Sequence, residues 1–108
     1  MTAIQLKELV AGLGLPYAYY QFSKNTAKPP PFICYYLAGS DDFAADGVNY
    51  AKIRQLVIEL YTKHKDFELE AQIENALSAA GIFYTVTETP IESQQMYMVV
   101  YTSEILFE

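Results

Sequence analysis

Apolar residues near the start of the chain recur at helical spacing. Leu6, Leu9, Val10 and Leu13 fall on one face of a helix. Thr2-Ala3-Ile4-Gln5 has the form of a capping box, in which the threonine hydroxyl and the glutamine side chain each satisfy a free backbone N–H. Gly12, Gly14 and Pro16 close the segment, so the first helix is predicted over about residues 3–11. The period then shortens. PYAYYQF, residues 16–22, is a tyrosine-rich first strand ended by the polar SKNTAK loop and by prolines 29–31. Three prolines cannot donate ladder hydrogen bonds, so they form a stiff extended lead-in to the second strand, FICYYLAG. The third strand, YAKIRQLVIELYT, alternates: Leu56, Ile58 and Leu60 point one way, and Gln55, Val57, Glu59 and Tyr61 the other. The first set is predicted to face the core.

Asp66 can cap a second helix whose first turn carries Glu68 and Glu70, which suit the positive end of the helix dipole. Leu69, Ile73, Ala76, Leu77 and Ala80 form its apolar stripe, and Gly81 is placed for the left-handed position after the last turn. IFYTVTE and QQMYMVVYTSEILF follow as two strands joined by TPIES, a connection short enough for an antiparallel hairpin.

The order helix, three strands, helix, two strands predicts a single α+β domain over residues 1–108, with both helices on one face of a mostly antiparallel or mixed sheet. Two short helices cannot cover both faces of five strands. The second face carries Tyr35 or Tyr36, Val57, Tyr61, and Tyr97 or Met98, which must then meet solvent or another chain. That favours an oligomer.

Composition narrows the function. Hydrophobic residues make up 52% of the chain and charged ones 19%, enough apolar surface to offset the entropy of folding. Thirteen acidic against seven basic residues give a formal charge of −6 and a pI near 4.6, which opposes a phosphate backbone. The cations form no stripe: Lys24 and Lys28 flank the proline run, Lys52 and Arg54 share a strand, and Lys63 and Lys65 bracket His64. The lone Cys34 excludes an internal disulfide and a multi-thiolate zinc site, and is expected to be a small buried strand residue. The N-terminal residues lack the pattern of a secretory signal and no apolar run reaches membrane-spanning length, so a soluble intracellular protein is expected.

Candidate chemistry is sparse. The loop GSDDFAADG contains Asp41, Asp42 and Asp46, but not at the alternating spacing of a calcium loop. Aspartate and glycine are also what a turn between strands would use. Paired carboxylates do acid–base work only where burial or a neighbour splits their pKa values, which an exposed loop does not supply. His64 lies between cations with no orienting partner in sequence, and Ser23, Ser40, Ser78, Ser93 and Ser103 have no nucleophile-elbow context. Gly12 and Gly14 follow a helix rather than precede one, so they form no phosphate loop. No catalytic residue, cofactor or metal site is predicted. The ten tyrosines interleave with Glu and Gln rather than cations, so they suit core and interface packing better than nucleic-acid stacking.

From Pro30 to about Tyr101 the chain resembles the tail-completion, or tail-terminator, type of small structural protein encoded by siphophages and prophages of Gram-positive bacteria. The residues that carry the resemblance are PPFICYYLAGSDDFAADGVNY, IELYTKHKDFELEAQIENAL, GIFYTVTETPIES and MYMVVY, together about two thirds of the chain. The resemblance implies a tail terminator-like α+β subunit that forms a ring, typically a hexamer, at the head-proximal end of the tail tube. Its partners would be further copies of itself, the tail tube protein and head connector proteins, with no membrane. It would assemble in the host cytoplasm and end in the virion tail. It implies no catalytic residues. An acidic lumen would let DNA pass without specific binding. In that arrangement SDDFAADG is an arm that projects from the subunit, with Phe43 anchored on a neighbour, and Phe43, Tyr35, Val57, Tyr61 and Tyr97 are the candidate oligomer contacts. The main alternative is a small-molecule-binding regulatory domain with a ferredoxin-like sheet, whose open face holds the ligand; a different phage head or tail assembly accessory lies closer to the first reading.

Overall fold

The computed structural model describes every residue except 41, 42, 46 and 47, with residues 43–45 and 48–51 described by their backbone alone. Its order is α1 (Ala3–Ala11), β1 (Tyr17–Tyr19), β2 (Phe32–Ser40), β3 (Phe43–Ala45), β4 (Val48–Ala51), β5 (Ile53–Thr62), α2 (Phe67–Ala79), β6 (Tyr84–Ile91), a single 3-10 turn at Glu92–Gln94, and β7 (Met96–Leu106). This is an α+β fold. Five strands form a mixed, mostly antiparallel open sheet in the order β1-β2-β5-β7-β6, and β3 and β4 pair as a separate two-stranded sheet.

Both helices begin as their side chains dictate. Thr2 accepts from the Gln5 N–H at 3.1 Å while the Gln5 side chain accepts from the Thr2 N–H at 2.9 Å, closing the capping box. Asp66 accepts from the Leu69 N–H at 3.0 Å, and Gly81 takes the left-handed φ of +72° just past α2.

Alternation along β5 decides what is inside. Leu56, Ile58 and Leu60 are fully buried and join Leu6 and Val10 of α1, Ile33 and Tyr35 of β2, Ile73 and Leu77 of α2, and Val99, Tyr101 and Ile105 of β7 in one core. Residues from both helices meet the same face of the sheet, so the helices lie on one side. Burial of each large aliphatic side chain here contributes about 1.5–3 kcal/mol. Tyr101, with no exposed surface, gives its hydroxyl proton to Glu74 Oε2 at 2.9 Å, which satisfies the polar tip inside the core.

Several boundaries differ from the sequence-based expectation. The first strand is three residues, not seven, because Tyr20 leaves the extended region with φ +69° while its N–H donates to the Tyr35 carbonyl at 2.7 Å. β1 runs parallel to β2, and the loop from 20 to 31, which includes a cis Pro30–Pro31 bond, supplies the long connection that parallel strands need. The third strand begins at Ile53 rather than Tyr50: Lys52 lies between β4 and β5, and its carbonyl accepts from the Phe107 N–H at 2.9 Å. Thr89, Pro90 and Ile91 of the expected TPIES connection pair with Met98, Tyr97 and Met96 and so extend β6. On α2 Ala80 is exposed, whereas Glu70 is 9% exposed because Lys65 Nζ pairs with its Oε2 at 2.7 Å.

Candidate functional site

The face of the sheet opposite the helices holds the candidate site. Register assigns its residues: Cys34 sits opposite Glu59, Phe32 opposite Tyr61, and Tyr36 opposite Val57, while Glu59 and Tyr61 in turn sit opposite Val100 and Met98 of β7. Side-chain alternation therefore places Tyr36 and Met98 on this face with Val57 and Tyr61. It sends Tyr35 and Tyr97 to the other side. Tyr35 is 7% exposed and packed into the core, so it cannot reach a second chain, and Val57, on the open face, is equally buried at 7%. Tyr97 is half-buried beside Lys63, His64 and Pro90. Phe43 heads β3, where its backbone pairs with Ala51, and its side chain lies outside the described residues. Asp41, Asp42 and Asp46 also lie outside them. His64 is exposed, and among the described residues no carboxylate hydrogen bond orients it.

A cleft of about 620 Å³ opens on this face at the end where the 20–31 loop folds over β2. Its floor is Cys34 and Glu59, neighbours across the β2–β5 ladder. Aromatic rings make the walls. Phe32 stacks on Tyr61 with ring centroids 4.7 Å apart and planes at 19°, and Phe22 of the loop meets Phe32 edge-on at 5.4 Å. Tyr20 meets Tyr36 edge-on at 5.3 Å, held there by the left-handed backbone at Tyr20. A bulky side chain at positive φ is a local strain that surrounding contacts must maintain, and here it serves to turn a ring over the sheet. Ile91 and Met96, where β6 passes into β7, close the far side.

Glu59 organises the polar chemistry of the cleft. The Tyr61 hydroxyl donates to Glu59 Oε1 at 3.0 Å. Burial, reinforced by the Glu59 charge and this hydrogen bond, pushes the Tyr61 phenol well above its ordinary pKa, and the same causes raise Tyr36. Burial first and the Glu59 charge second raise the Cys34 thiol from 9.0 to about 11. Each of these groups is held neutral around a carboxylate for which no ion pair is present among the described residues. Lys28 is the one cation among the residues that line the cleft, and it is exposed at the rim.

A thiol held this far from ionisation is a poor nucleophile. Alternation had marked Val57, Glu59 and Tyr61 as facing away from the core, but the cleft itself was not legible. It needs the cross-strand pairing of Cys34 with Glu59 and the return of a loop whose polar composition gives no sign of where it packs. No protein-family model and no curated protein matches the chain.

Proposed function

We propose that this chain is a phage or prophage assembly subunit of the tail-completion type, which associates with copies of itself in a ring where the tail joins the head. The phage part of this reading rests on the sequence resemblance. The assembly part is carried by one structural observation: among the described residues, the β3–β4 hairpin forms a two-stranded sheet of its own, apart from the five-stranded sheet. A two-stranded hairpin has little stability of its own in water, and a neighbouring subunit would supply the surface it lacks. The test is native mass across a concentration series, with negative-stain images. Closed rings are expected; a strict monomer both alone and in the presence of purified tail tubes would overturn the reading.

The geometry backs a second reading, small-molecule binding on the open face, better than it backs the first, because the cleft's volume is in the range of ligand pockets. The topology supports it as well. β5 and β6 both run antiparallel to β7, which lies between them, so β5-α2-β6 is a split β-α-β unit of the kind found in ferredoxin-like sheets. A ligand-dependent rise in melting temperature in a dimeric protein would establish this alternative over the ring.

A further inference from the structure

Glu59 sits half-buried on the floor of the cleft with its charge unmatched by any cation among the described residues, apart from the solvated Lys28 at the rim. Such a carboxylate is tolerable while the cleft is open to water. Once the sheet face is covered, the loss of water would leave a buried, uncompensated charge unless a positive group arrives with the covering surface. The walls around Glu59 select among cations. Phe32, Tyr36 and Tyr61 present ring surface beside the carboxylate, and a planar guanidinium can lie against aromatic faces while its N–H groups reach the carboxylate oxygens. Tyr61 donates to one carboxylate oxygen and Tyr36 also hydrogen-bonds to Glu59, which leaves about two of roughly four acceptor positions for a forked donor.

We propose that the Glu59 cleft receives an arginine side chain from a different protein that docks on the open sheet face. The charge complementarity identifies the class of partner, and a second copy has no free arginine to offer. Arg54 is the chain's only arginine, and it is already engaged: its Nε donates to the Gly39 carbonyl at 3.3 Å and its guanidinium lies 5.9 Å from the centre of the Phe107 ring. The inference rests on the reading of the open face as a protein-binding surface, and it adds what that face recognises.

The test is a titration of the full chain with the tripeptide acetyl-Gly-Arg-Gly-amide, followed by NMR of the aromatic side chains and of the Glu59 carboxyl carbon. The neutral isostere with citrulline in place of arginine is the control. Saturable shifts at Tyr61, Phe32 and Glu59 are expected for the arginine peptide, with at least tenfold weaker binding for citrulline. Glu59→Gln, which keeps the shape and the acceptor for Tyr61, should lose binding by a similar factor, and an unchanged backbone spectrum would show that it still folds. Equal response to the citrulline peptide, or undiminished binding by Glu59→Gln, would overturn the proposal. So would shifts of these signals on raising protein concentration alone, which would place a lysine of a second copy in the cleft. Ring assembly is read separately by native mass, so loss of the ring with intact arginine binding, or the reverse, distinguishes the two ideas.

Discussion

At the residue scale, the open face is built from groups whose neutral forms the fold protects. Cys34 illustrates the consequence for reactivity. With its pKa raised from 9.0 to about 11, the thiol stays protonated at neutral pH, so its alkylation by iodoacetamide is expected to be slow at pH 8 and to accelerate only as the pH approaches 11. Rapid labelling of folded protein at pH 8 would contradict that placement. The same shift has a stability counterpart. Cys34, Tyr61 and Tyr101 all lose their protons more readily in the unfolded chain than in the fold, so between pH 9 and 11 the native state binds more protons than the unfolded one. Stability is therefore full below about pH 9.0 and falls as pH rises through this window, which urea titrations at stepped pH can follow. Tyr101 also tests the core directly. Tyr101→Phe removes the donor to Glu74, whose half-buried carboxylate keeps access to water, and is expected to cost about 1–2 kcal/mol in urea unfolding.

At the scale of single elements, local chemistry and long-range pairing divide the work. The capping box of α1 is complete in four consecutive residues and was readable as such; Thr2→Ala should cost about 1 kcal/mol, seen as a lower urea midpoint with unchanged slope. The apolar stripe of α2 was equally plain at Ile73 and Leu77. Glu70 was not, since an acidic residue in a first turn reads as solvent-facing. It is buried because Lys65 reaches it from outside the helix and pairs with Glu88 of β6 too, so one lysine ties α2 to the outer strand. The ends of β1 and β5 depended on partners far away in sequence, Tyr35 for the turn at Tyr20 and Phe107 for Lys52. Nothing local to either segment announces such a stop.

At the scale of the whole molecule, all of the helical mass lies on one side of the sheet, and the other side carries the aromatics of the cleft with Glu59 among them and Glu104 farther along β7. The hairpin offers a clean probe of what that asymmetry is for. Replacing residues 41–51 by a short Asn-Gly turn should leave the monomer's melting temperature within a few degrees, because β3 and β4 belong to a sheet of their own. The same change should abolish rings, and Phe43→Ala should weaken them. Native mass checks both, and rings that persist at full size after the replacement would separate the hairpin from assembly.

The amino-acid order alone established the two helices and five main-sheet strands in their order, the α+β class and the inward face of β5, since each depends on side-chain periods of two or 3.6 and on caps within a few residues. The β3–β4 hairpin, by contrast, reads in sequence only as a loop. Tertiary structure decided that Tyr36 rather than Tyr35 lies on the open face, that β1 runs parallel to β2, and that a polar loop roofs a cleft over Glu59. These are properties of register and packing. A shift of one residue in pairing reverses every side chain, and only contacts between distant segments select which register is kept.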